Sequence, residues 1–168
     1  MQTKEAISCC NIKSSELIAD IRSAAWLESE LHTELDRHRR HEMADVCEEG
    51  NIDYVWRLLA LGVAELRIAL SRILCHPKLM SNVNDLETCE TWDFRFRFPV
   101  QSSALAYMKE KIHAYLVAAV MANRMEVIIP SAAAIWRERA SEDLSALRLT
   151  AATMRPPQGV IRRAMWPL

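Results

Sequence analysis

The sequence predicts a mainly α-helical fold: a four-helix bundle-like domain with an inserted β-strand or hairpin and an extended C-terminal tail. Three observations carry this. Apolar residues recur at spacings of three and four over four long stretches, the signature of helices with one buried face. One short run, Trp92–Pro99, alternates with a period of two. The 168 residues contain only 3 glycines and are 51 % hydrophobic, enough for one helical domain with a real core.

Residues 1–13 are polar and aperiodic and read as a flexible arm. Ser14 or Ser15 can cap a first helix, near 15–49, whose stripe is Leu17, Ile21, Ala24, Leu27, Leu31 and Leu35. Gly50-Asn51 is a stop followed by an N-cap. A second helix, near 51–75, carries Ile52, Val55, Leu59, Val63, Leu66, Leu70 and Ile73, with Trp56, Leu58 and Leu74 added. It is apolar on most of its circumference, which predicts the central helix. His76-Pro77 ends it, because proline lacks the amide a helix needs.

Residues 77–101 form the strand or hairpin insertion. Trp92, Phe94, Phe96 and Phe98 share one face of the strand; Asp93, Arg95 and Arg97 share the other. A lone strand leaves backbone groups unpaired. The expected partner within the chain is Lys78–Leu86, through Leu79, Met80 and Val83; the alternative is addition to the sheet of a neighbouring subunit. Ser102 or Ser103 caps a third helix, near 103–128, with the stripe Leu105, Met108, Ile112, Tyr115, Leu116 and Ala119. Ser131 caps a fourth, near 131–154, through Trp136, Ala140, Leu144, Leu147, Ala151 and Met154. Pro156-Pro157-Gln158-Gly159 breaks it, and the tail 155–168 follows.

Composition excludes several chemistries. Three scattered glycines cannot build a phosphate loop or a dinucleotide fingerprint. No apolar run approaches the roughly 20 residues of a bilayer span, and the first residues carry no apolar segment of a secretory signal. Five cysteines without C-x-x-C spacing read as reduced thiols. Charge is uneven along the chain. Residues 1–50 hold 6 basic and 11 acidic side chains, for −5; residues 51–100 hold 6 and 6; residues 101–168 hold 9 and 5, for +4. A chain with one acidic and one basic end can attract copies of itself.

No catalytic or metal constellation emerges, so no cofactor, metal or enzyme activity is expected. Glu110-x-x-His113 has the spacing of a di-iron helix. Its two residues fall about 160° and about 100° from the stripe of their helix, away from the core. His32, His38 and His41 lie near Asp36, Glu42 and Asp45, but Arg37, Arg39 and Arg40 oppose a divalent ion there. The same basic cluster suits a non-specific contact with DNA or phosphate. Cys75-His76 is adjacent in sequence without an orienting third group, and no G-x-S-x-G elbow exists.

Three segments carry a family resemblance: the strand Trp92–Pro99 followed by the helix Ala104–Val127; Pro130-Ser131-Ala132-Ala133-Ala134-Ile135-Trp136 opening the last helix; and the ending Val160-Ile161-Arg162-Arg163-Ala164-Met165-Trp166-Pro167-Leu168. Over roughly residues 77–168 the chain resembles head-to-tail connector (adaptor or neck) proteins of tailed phages and prophages. The resemblance implies a structural virion protein, not an enzyme, that forms a homo-oligomeric ring between portal and tail. Portal and tail proteins are then its partners, without a membrane. It would assemble in the host cytoplasm and reside in the neck of the virion. The expected interface residues are Trp92, Asp93, Phe94, Arg95, Phe96, Arg97 and Phe98 of the strand, with Ile161, Arg162, Arg163, Met165 and Trp166 of the tail. The alternative reading is a cytoplasmic all-helical regulator that binds nucleic acid or protein.

Overall fold

The longest helix, Ser102–Ile128, is the centre of the fold in the computed structural model, which describes residues 8–48, 50–75 and 90–154. The described elements run β1 (Cys9–Lys13), α1 (Ser14–Leu31), α2 (Arg37–Ala44), α3 (Ile52–Ala69), β2 (Thr91–Arg95), α4 (Ser102–Ile128) and α5 (Pro130–Thr153). The protein is mainly helical with a small two-stranded antiparallel sheet.

α4 packs against α5, α3, α1, α2 and β1. Its first half buries the expected stripe at Met108, Ile112, Tyr115 and Leu116. Its second half also buries Val117, Ala118, Val120, Met121, Ala122 and Met125, covering most of the circumference. The central helix is therefore α4, and not the helix that follows Asn51. α5 is antiparallel to α4 across a one-residue joint at Ile129, and Pro130 supplies the helical φ of the first turn. Ala140, Leu144 and Leu147 of its stripe are buried, with Trp136, Ala151 and Met154 packed at the margin.

The single helix expected near 15–49 is two helices. α1 ends at Leu31, where His32 turns out of helical geometry (φ −98°, ψ 63°). Asp36 then starts α2, its carboxylate accepting a bond from the Arg39 amide at 2.8 Å. That bond satisfies an orphan donor of the new helix and holds the Asp36 carboxyl below its ordinary range. The serines expected as caps elsewhere do not hold the N-cap positions. Ser14 and Ser102 are already helical, and the residues before them, Lys13 and Gln101, offer no side-chain cap. Ile129, not Ser131, stands at the N-cap of α5. α3 ends at Ala69 with Leu70 as C-cap, before the expected His76-Pro77 stop, which lies outside the described residues.

The strand finds its partner in the segment expected to be a loose arm. Cys9–Lys13 pairs with Thr91–Arg95 in antiparallel register, Cys10 opposite Phe94 and Ile12 opposite Trp92. Phe96 donates to the Ser8 carbonyl at 2.9 Å and Ser14 to the Glu90 carbonyl at 3.0 Å, extending the pairing at both ends. On the far edge of β2, Cys75 donates to the Arg95 carbonyl at 2.8 Å and Arg97 to the Ile73 carbonyl at 2.9 Å. The hairpin partner expected at 78–86 lies outside the described residues. Among the described residues no helix is long and apolar enough to cross a membrane.

Candidate interaction surface

The aromatic face of β2 belongs to the chain's own core. Trp92, Phe94 and Phe96 are buried, and Cys10 and Ile12 of β1 join them from the same face of the sheet. Phe98 is only partly buried. Asp93 and Arg95 lie on the outer face. Asn11 donates to Asp93 at 3.0 Å, and Arg95 lies 3.6 Å from the same carboxylate. Arg97 is exposed on the same side as Arg95, its Nε donating to the Leu74 carbonyl at 2.6 Å. Ile161, Arg162, Arg163, Met165 and Trp166 lie outside the described residues.

Two helices turn large apolar side chains outward. On α1, Leu17 and Ile21 are buried as the stripe predicts, but the next inward positions are the small Ala25 and Ser29. Ser29 is accommodated there because its hydroxyl donates to the Trp26 carbonyl at 2.6 Å. Trp26, Leu27 and Leu31 therefore point to solvent, Leu31 with 72 % of its surface exposed. This corrects the second half of the expected stripe. Trp26 and Leu27 border a shallow groove with Arg22, Ser23, Ala44 and Asp45.

On α3 the inward face includes Val55, Leu59, Gly62, Val63 and Leu66. The outward face carries Tyr54, Leu61 and Ile68, which are 45 %, 66 % and 76 % exposed. These three are seven residues apart, so they form one line along the helix. Arg57 and Ala64 lie on the same side and are exposed. The guanidinium of Arg124 sits 5.6 Å from the Tyr54 ring centre and holds the ring in place. At the margin of the face the Tyr115 hydroxyl donates to Glu65 at 2.6 Å. Burial and this carboxylate push the Tyr115 phenol well above its ordinary range. Sequence reasoning passed over this face because the inward stripe of the same helix is complete without it. The seven-residue spacing was the available signal.

Three of the described histidines lie against carboxylates. His113 Nε2 lies 2.7 Å from Asp20, joining α4 to α1. His32 lies 2.7 Å from Glu34 and 3.4 Å from Glu28. Its hydrogen bond keeps the Glu34 carboxyl low. His41 lies 2.7 Å from Asp45. His38 is exposed on α2 with Arg37 and Arg39. Glu110 is exposed, while Lys111 beside it pairs with Asp143 at 2.7 Å, which raises the Lys111 pKa. Among the described residues no three His, Cys, Asp or Glu side chains come together as metal ligands. Cys75 places its Sγ 3.4 Å from the Phe96 carbonyl, and His76 lies outside the described residues.

The fold and this surface define a mainly helical protein with outward apolar helix faces. No family model, no curated protein and no solved structure matches the chain.

Proposed function

We propose that the chain is a structural assembly protein, a head-to-tail connector component that forms an oligomeric ring between portal and tail in the neck of a virion. The observation that carries the assembly reading is the inversion on α1. It buries Ala25 and Ser29 and exposes Trp26, Leu27 and Leu31. A helix whose only partners were within its own chain would gain more by burying the large side chains, since apolar burial contributes about 25 cal/mol per Å². Adjacent outward apolar side chains mark surfaces that meet other chains. The connector assignment within that class rests on the resemblance of residues 77–168. In it the outer face of β2, with Asp93 and Arg95, and the basic tail with Arg162 and Arg163 meet neighbouring subunits.

The test is electron microscopy of the purified 168-residue chain, which should show closed rings. Deleting residues 156–168 should leave a folded helical chain that assembles poorly, and its gap to the full chain should narrow at high salt, which screens the pairs made by Arg162 and Arg163. Single small particles at every concentration contradict the reading.

A second reading, a helical regulator that binds nucleic acid, is favoured by α2, where Arg37, His38, Arg39 and His41 are all exposed. It predicts DNA binding that falls steeply with salt and is lost in Arg37→Ala/Arg39→Ala. The connector reading predicts weak, sequence-independent binding at most.

A further inference from the structure

We infer that the outward face of α3 is a two-fold docking site for a second copy of this chain, the two α3 helices packing antiparallel with Leu61 at the axis. The argument lies in the order of residues along the exposed line. Tyr54 stands seven residues before Leu61 and Ile68 seven after. Arg57 stands four before and Glu65 four after. An antiparallel partner related by a two-fold axis at Leu61 therefore brings Ile68 of one copy against Tyr54 of the other. It also brings Glu65 of one copy level with Arg57 of the other, within reach of their long side chains. Apolar meets apolar and opposite charges meet across the seam, twice over, as an isologous contact requires. A parallel partner would set Arg57 against Arg57 and Glu65 against Glu65. The seven-residue spacing is that of helices packed side by side. The exposure of Tyr54, Leu61 and Ile68 shows that the line is open along the helix, and Arg124 fixes Tyr54 in advance.

The occupant is a second copy because the pattern complements itself. One face of an 18-residue helix is smaller than the roughly 800 Å² per partner of a stable complex. The dimer is therefore reversible and depends on concentration. A two-fold contact closes at two chains and cannot build a ring, so this inference goes beyond the ring reading and does not rest on it. With a cyclic contact elsewhere, it would join two rings back to back.

Cysteine cross-linking tests the geometry. Helices packed about 8–10 Å apart bring the two Leu61 positions within disulfide reach, whereas the two Ile68 positions stand roughly 20 Å apart along the seam. Leu61→Cys should form a covalent dimer under mild oxidation, above the background of the unsubstituted chain. Ile68→Cys alone should not, but mixed with Tyr54→Cys it should. Leu61→Glu should weaken dimerisation by at least about tenfold with unchanged helicity. Cross-linking no better at Leu61→Cys than in the unsubstituted chain overturns the inference, as does equal cross-linking by Ile68→Cys alone. Rings without a Leu61→Cys cross-link leave the ring reading standing and remove this contact. A Leu61→Cys dimer that never grows larger does the reverse.

Discussion

A β-carbon on Gly62 would lie 2.9 Å from Cδ2 of Leu116, closer than two carbons can approach. Gly62 is what lets α3 seat closely on α4, and Leu116 is fully buried beneath it. This close seat fixes the rotation of α3, and with it the outward line Tyr54, Leu61 and Ile68. Gly62→Val should therefore destabilise the protein by about 2 kcal/mol through overpacking. Gly62→Ala should cost less, because the better helix former regains up to about 1 kcal/mol. Urea unfolding midpoints check both; a Gly62→Val chain more stable than the parent contradicts this packing.

Trp136 ties the last helix to the first. Its indole N–H donates to Glu28 at 2.7 Å, and Arg139 lies 4.7 Å over its ring. Trp136→Phe keeps an aromatic ring and loses the bond, at a cost of about 1 kcal/mol or more. Glu28→Gln keeps an acceptor and should cost less. Equal losses from the two variants would show that the hydrogen bond is not what matters.

The two faces of β2 should respond differently. Phe94 is enclosed, so Phe94→Ala should cost about 3–5 kcal/mol. Arg95 is exposed beside Asp93, so Arg95→Ala should stay within about 0.5 kcal/mol. Thermal unfolding of the two variants separates them, and a large loss from Arg95→Ala would place that side of the strand in the core.

Burial pushes the Cys10 thiol up to about 11, and its Sγ lies 3.5 Å from the Leu105 carbonyl. A raised folded pKa means that folding favours the protonated thiol. Its contribution is complete below about pH 9 and is lost as the pH climbs from there towards about 11. Cys10 should therefore be alkylated later than its half-exposed neighbour Cys9 at pH 8, as peptide mapping reads. Cys10→Ala should flatten part of the alkaline loss of stability. Simultaneous labelling of the pair would mean that β1 is open in solution.

Much of this fold is legible in the sequence, for identifiable reasons. The stripes of α4 and α5 follow a 3.6-residue period over many turns, and Pro130 marks the joint between them. The inward face of β2 is legible because aromatic and charged residues alternate. β1 is not, because Cys10 and Ile12 are its only buried apolar positions and its partner lies some eighty residues away. The break after α1 had a signal in Asp36, which the preceding run of leucines outweighed. Leu27 and Leu31 continue the spacing of Leu17 and Ile21, which predicts them inward. Ala25 and Ser29 take the inward positions instead. The α3 surface is hidden in a helix apolar nearly all round, where sequence alone does not say which side the core takes.

The central claim is that this chain works by assembling with copies of itself. Sedimentation velocity of the 168-residue chain across a hundredfold range of concentration measures that directly. The account predicts a reversible dimer at low concentration and a discrete closed oligomer with an even number of chains above it. A single species of 19.2 kDa at every concentration would contradict it.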